Sequence, residues 1–173
     1  MAEKLRGFGC DEVVTGIGQT GVVGVIKGRA RHTARVIGLR ADMDALPILE
    51  NTGLPYASTV PGKMHACGHD GHTAMLLGAA AVLARKPDFG GTVYFIFQPA
   101  EENEGGGRVM VDEGLFDRFP MRAVYGMHNW PLLPLGTIAT RAGPLMGAFD
   151  IFEIVATGKG AHAAMPNTGK DPM

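Results

Sequence analysis

Cysteine is nearly absent: Cys10 and Cys67 are the only two in 173 residues. Two thiols cannot build a disulfide framework, so a reducing, cytoplasmic setting is expected. An excess of one charge is also missing. The 16 basic and 17 acidic residues leave a formal net charge of −1, with no basic run to track phosphates and no acidic tail. Nucleic acid is therefore not an expected partner. No apolar run reaches the roughly 18 residues that a membrane span requires. The opening MAEKLRGFGCDEVV lacks the apolar stretch of a signal peptide, so no membrane association is expected. Internal repeats and low-complexity tracts are absent as well.

What the chain does have is length for one ordinary domain, 46% apolar residues and 26 glycines. That much glycine predicts many tight loops, the usual carriers of binding and catalytic residues. The runs GVVGVIKG (21–28) and ARVIGLRA (34–41) read as a pair of strands joined by a short basic connection. HTAMLLGAAAVLARKP (72–87) reads as a helix, basic in its last turn and stopped by Pro87. Being apolar nearly all round, it is expected to be well buried. GTVYFIFQPA (91–100) predicts a central strand, GGRVMVDEGLF (106–116) a helix ending near Gly114, and RAVYGMHN (122–129) another strand. Alternation of strands and helices predicts an α/β sheet with parallel strands.

After Pro134 the pattern changes. The segments 136–146 and 147–160 both read as strands, the second alternating Phe149, Ile151, Glu153, Val155 on one face with Asp150, Phe152, Ile154, Ala156 on the other. A soft boundary near residue 143 is expected, and the roughly 30 residues beyond it fall short of the roughly 50 that a small domain needs. On this reading the sequence is cut short.

GIGQTG (16–21) matches the dinucleotide fingerprint G-x-G-x-x-G. That fingerprint works only where a helix N-terminus follows to receive the pyrophosphate. Here a strand-like run follows, and a turn entering a strand is the better reading.

Ligands of open α/β sheets bind beyond the carboxyl ends of strands. Polar residues gather at four such places: RADMDALP with Asp42 and Asp44, the loop HACGHDGH (65–72) with His65, Cys67, His69, Asp70 and His72, QPAEE with Glu101 and Glu102, and GMHN with His128 and Asn129. Thiol, imidazole and carboxylate are the ligand types of transition metals. Singly, each has a bland alternative: Asp42 and Asp44 pairing with Arg40 or capping a turn, Glu101-Glu102 as a solvated pair, His128 as a satisfied histidine, Cys67 as a small buried hydrophobe. Jointly they favour a metal site. Cys67 and His69, two apart across Gly68, can point into one site from a non-helical loop, with His72 further back. A thiol nucleophile is the competing reading, yet adjacent carboxylates repel a thiolate and make sense around cations.

The motifs GLRADMDALPI (38–48), HACGHDGHTAMLLGAA (65–80), FIFQPAEENEGGG (95–107), YGMHNWP (125–131) and ATGKGAHAAMP (156–166) together resemble the N-acyl-amino-acid amidohydrolases. These dinuclear metallopeptidase relatives include hippurate hydrolases, auxin-conjugate hydrolases and N-acetyl-diaminopimelate deacetylases. The resemblance runs from about residue 13 to the last residue. It implies an α/β fold of the three-layer zinc-exopeptidase kind with a mostly parallel sheet. Residues 1–143 would be the N-terminal part of the catalytic domain, and 144–173 the opening of an α+β lid and dimerisation domain. It further implies two divalent ions, zinc or manganese first, cobalt or nickel next. Cys67 (as a bridging thiolate), His69, Glu102 and His128 would be their ligands, Glu101 the general base, and Asp44 the carboxylate that orients a ligand. His162 resembles a lid histidine that stabilises the oxyanion, in relatives often across a homodimer. The implied substrate is an N-acyl amino acid.

There are departures from the family pattern. Its last metal ligand, a histidine, would fall beyond residue 173; Asp42 stands where distant relatives place a ligand histidine; Asn167 stands where many have histidine; and the N-terminal helix is shortened. A four-ligand remnant without its lid is expected to bind metal more weakly and to expose sheet edges. The runner-up expectation is accordingly a folded metal-binding fragment without turnover, and the third is a thiol-nucleophile hydrolase.

Overall fold

The computed structural model describes every residue except His32, Asn103, Glu104 and Phe149. It divides into two compact units, Met1–Pro131 and Leu132–Met173.

In the first unit, helix α1 (Ala2–Phe8) precedes a hairpin of strands β1 (Glu12–Ile17) and β2 (Gly21–Lys27). The GIGQTG stretch is the hairpin itself: Gly18 and Gln19 turn the chain at φ 62° and 67°, the left-handed values of a tight hairpin turn. No helix follows it, as the sequence reading expected. Then come β3 (Val36–Asp42), α2 (His69–Arg85), β4 (Thr92–Gln98), α3 (Gly106–Asp112), α4 (Leu115–Arg118) and β5 (Ala123–Gly126).

The sheet order is β1-β2-β4-β3-β5. β2 and β3 were expected as a joined pair; both form, but β4 lies between them, antiparallel to β2 and parallel to β3. The reason is apolarity. TVYFIFQ offers side chains to both faces, with Phe95 and Phe97 fully buried and Ile96 nearly so, and a strand of that kind belongs at the centre. β5 adds in parallel to the other side of β3. The parallel half, β4-β3-β5, therefore sends three carboxyl ends to one edge.

Period-two alternation separates two cores. Val22, Ile26, Val93, Phe95 and Phe97 face Leu5 of α1 and Leu76 and Ala80 of α2. Val23, Val25 and Ile96 face Met110 of α3 and Leu115 and Phe119 around α4. Helices on both faces make three layers. Each large apolar side chain so enclosed contributes about 1.5–3 kcal/mol.

One helix expectation needs correcting. α2 begins at His69, three residues ahead of the sequence reading, and it is not buried all round: Met75 is 38% exposed and Val82 62%. It sits in an outer layer, so only one face meets the sheet. The helix expected to end near Gly114 does so: α3 stops at Asp112 and Gly114 adopts φ 86°, since glycine in the left-handed region ends helices; the short α4 follows it.

The second unit differs more from expectation. Segments 136–146 and 147–160 form no strands among the described residues; the only pairing is the isolated bridge between Lys159 and Lys170. A short 3-10 turn spans Pro166–Thr168. Of the alternating residues, Phe149 lies outside the described set, and Ile151, Phe152, Ile154 and Val155 are all 74% exposed or more. Alternation makes a strand only where a neighbouring strand accepts its hydrogen bonds, and no described segment there does so. No helix among the described residues is long and apolar enough to cross a membrane.

Candidate metal centre

The parallel register brings Asp42 beside Gln98, so the loops after β3 and β4 leave the sheet side by side. After β4, Ala100 takes φ 50°, a strained value for a residue with a Cβ. It swings the chain across the strand ends and delivers Glu101 and Glu102. The backbone N–H of Glu102 then donates to Asp44 Oδ2 at 3.0 Å, joining the two loops. The third contribution is the Cys67–His69 stretch. Gly68 sits there in the left-handed region at φ 90°, where L side chains rarely go. The fourth is the turn after β5 bearing His128.

These four segments converge. Ligand atoms of Cys67, His69 and His128 lie within 4.8 Å of one another, and so do those of His69, Glu101 and Glu102. His69 belongs to both groups, so the two sets share one imidazole. Cys67 Sγ is 3.5 Å from His128 Nε2. His69 Nε2 is 3.7 Å from Glu102 Oε1 and 3.9 Å from Glu101 Oε2. Its other nitrogen, Nδ1, lies 3.1 Å from both the carboxylate and the backbone carbonyl oxygen of Asp44. With Nδ1–H donating there, the lone pair on Nε2 faces the cluster. His128 is oriented likewise: its Nδ1 is 2.7 Å from the Asn129 carbonyl oxygen, leaving Nε2 toward Cys67.

A third group lies deeper. Asp42, 2% exposed, takes Arg40 at 2.7 Å and His72 Nδ1 at 2.6 Å. Arg40 also spans to Gln98 Oε1 through Nε and one terminal nitrogen, at 2.8 and 2.6 Å. Pairing of Asp42 with Arg40, one of its two open readings, is therefore present. Sequence reasoning placed His72 further back and noted Asn129 only as a strand end; it passed over Gln98 altogether. The signal for Gln98 was its position opposite Asp42, which becomes visible only once the strands are paired.

The electrostatics are lopsided. Burial pushes the Cys67 thiol up, and Glu102, Glu101 and Asp42 push it further, to about 11. Burial also pushes the carboxyls of Asp42 and Asp44 up. At Asp42 that is overcome by the bond to His72 and the charges of Arg40 and His69; at Asp44 by the backbone N–H groups of Glu102 and Glu101, with help from His69. Both end below the ordinary range. Glu102 Oε1 is buried without a hydrogen-bond partner among the described residues. A buried anionic oxygen left unpaired is costly, and a thiol ringed by carboxylates is inert as a nucleophile. Both features suit a cation. The donor set fits divalent transition-metal ions.

His65 and Asp70 do not join the cluster; Asp70 accepts the Gly71 N–H at 2.9 Å instead. His162 belongs to the second unit, where its Nδ1 accepts the Ala164 N–H at 3.2 Å. Beside the cluster, a cavity of about 450 Å³ is walled by Met43, Asp44, Lys63, Ala100 and Glu102.

A three-layer α/β unit with thiol, imidazole and carboxylate donors at its parallel strand ends belongs to the zinc-exopeptidase class of folds. The profile of peptidase family M20/M25/M40 matches residues 38–171, and the chain belongs to that family. It is 53% identical over 156 residues to the N-acetylcysteine deacetylase of Bacillus subtilis, covering 90% of this chain and 40% of that protein. It is 46% identical over 173 residues to the hippurate hydrolase of Campylobacter jejuni, covering 100% of this chain and 44% of that protein. Among solved structures, a dinuclear metal-binding peptidase of the M20 family from Bacillus subtilis superposes with a TM-score of 0.73 at 47% identity, over 83% of this chain and 41% of that one. The chain thus spans about two-fifths of the length of the relatives it matches.

Proposed function

We propose that the chain carries much of the active site of a metal-dependent amidohydrolase, which cuts N-acyl amino acids into a carboxylate and a free amino acid. The observation that carries this is the meeting of Cys67, His69, His128, Glu101 and Glu102 from separate loops. Relatives named for the hydrolysis of N-acetylcysteine, hippurate and N-acetyldiaminopimelate support the substrate class.

Cys67, His69, Glu102 and His128 hold two divalent ions, zinc or manganese, with cobalt or nickel as further candidates. When bound, the ions supply Lewis acidity toward the amide carbonyl and lower the pKa of a coordinated water. The chain's own groups do the rest. Cys67 surrenders its proton on binding, since a nearby cation favours the thiolate. Asp44 holds the His69 ring with Nε2 outward and raises its basicity. Glu101, 40% exposed at its side chain, takes the proton of the attacking water and returns it to the leaving nitrogen, a role that needs a carboxylate free to change protonation.

His162 acts as an oxyanion donor from a lid domain that opens with residues 144–173, brought in by a homodimer. The free thiols of Cys10 and Cys67 fit a cytoplasmic enzyme.

The test is hydrolysis of hippurate and N-acetyl amino acids before chelation, after it, and after return of manganese or zinc. Activity lost to chelator and restored by metal is the expected result. Metal bound without turnover favours a non-catalytic binding unit. Activity indifferent to chelator but abolished by alkylation favours a thiol nucleophile and refutes the proposal.

A further inference from the structure

The side chain of Asn129 lies outside the ligand set; the residue is exposed overall, yet its amide packs against the loop between the two ligand-bearing segments. Its amide sits over the first turn of α2. A Cβ at Gly68 would run into that amide, and a Cβ at Gly71 would come within 3.3 Å of its nitrogen. The amide therefore occupies a socket that exists because residues 68 and 71 are both glycine. On the third side, His72 Nε2 lies 2.5 Å from the Asn129 side-chain oxygen and 3.1 Å from its backbone nitrogen; the ring nitrogen serves one of the two at a time, donating to the oxygen or accepting from the N–H. His72 is 3% exposed and fixed from behind by Asp42, which Arg40 holds in turn.

The socket is flanked by ligands. Gly68 stands between Cys67 and His69, and Asn129 follows His128 and receives its Nδ1 on the backbone carbonyl. Anything that holds Asn129 to Gly68 and His72 therefore sets the distance from Cys67 to His128. Cys67 also meets the Glu102 side chain, and His128 packs against the rings of His72 and Trp130, so the Asn129 seat acts alongside these contacts.

We propose that Asn129, seated in the Gly68–Gly71–His72 socket, is a positioning residue: it clasps the His128 turn to the Cys67–His69 loop and presets the distance between the thiol and the imidazole. This rests on the metal reading above. Its reach is the geometry of ligands before and during metal binding, and it assigns Asn129 and the two glycines no contact with substrate.

Cobalt(II) titration of the 173-residue chain reads this directly, since cobalt bound to a thiolate gives a charge-transfer absorption. Asn129→Ala is expected to weaken cobalt binding by about 10–100-fold, the usual effect of losing a group that orients a ligand, and to diminish the thiolate band. Gly71→Ala is the second variant. Alanine favours the helix over glycine, so the fold has no reason to loosen, while the added methyl crowds the amide. It is expected to weaken binding several-fold with an undiminished melting temperature, an effect that lost stability could not produce. Asn129→Asp, of the same shape, is expected to recover more of the band than Asn129→Ala. Wild-type affinity and band in Asn129→Ala overturn the proposal; if that variant does not fold, the same result in Gly71→Ala overturns it. A wild-type chain that takes up no cobalt refutes the metal reading itself, and this inference with it, whereas unaltered variants beside a binding wild type refute the clasp alone.

Discussion

The Cys67 thiol offers the sharpest test of the site's charge. Its ordinary value of 9.0 is raised to about 11 by burial, Glu102, Glu101 and Asp42. Two units mean about a hundredfold less thiolate at pH 8 than an ordinary cysteine shows. The more basic sulfur is intrinsically more nucleophilic, with a Brønsted slope of about 0.4–0.5, which returns roughly eightfold. Metal-free protein should thus react with an aromatic disulfide about tenfold more slowly than a free thiol, before any hindrance. Hindrance does not move a pH midpoint, so the pH–rate profile is the deciding measurement, in a Cys10→Ala background because Cys10 is also raised by burial and Asp11. Its rise should centre near 11 and shift down in Glu102→Gln. The same proton competes with the ion: below about pH 11 each unit of rising pH should strengthen metal binding about tenfold through this thiol alone, measured from pH 7 to 9. A profile centred at or below 9, or an affinity flat over that window, refutes the picture of a thiol held protonated by its carboxylate neighbours.

Glu101→Gln should retain metal while hydrolysis of an N-acyl amino acid falls by about a hundredfold or more; unchanged turnover removes Glu101 as the base. Asp42→Ala strips an acceptor from both His72 and Arg40 in a buried setting, so urea unfolding should show a loss of about 3–5 kcal/mol, and a loss below about 1 kcal/mol would demote the pair to a surface contact. Asp42 and Asp44 are held below their ordinary 3.8 in the fold. Protons therefore bind the unfolded chain more readily, and the stabilisation, complete above that value, is lost as pH falls through the lower folded values; a melting temperature indifferent to pH below 4 would contradict this. Gly68→Ala forces a Cβ into the left-handed region, at about 1–2 kcal/mol, and into the Asn129 amide; wild-type stability there would show that the loop relaxes freely.

Much of the first unit was legible in its residues, for reasons that are local. β4 declared itself by a β-branched and aromatic run too apolar for an edge, and α2 by its alanines, basic last turn and Pro87. GIGQTG could be dismissed as a nucleotide loop because no helix pattern follows it. The donors could be nominated because thiol, imidazole and carboxylate recur where strand-like runs stop. Such features depend on neighbours a few residues away, which is what a sequence displays.

Other features depend on partners distant in the chain. That β4 separates β2 from β3 follows from competition among strands for the centre. The 151–155 alternation, read as a strand, forms none, because pairing rests on a neighbour and not on the pattern. The pairing of Arg40 with Gln98, and the glycine socket that receives Asn129, join residues 58 and 57–61 positions apart. The sequence by itself determined which chemistry is present: a thiol, imidazoles and carboxylates at strand ends. Only the tertiary structure decided which of them meet, since the distances between loops are set by strand order and register, and those are properties of the folded sheet.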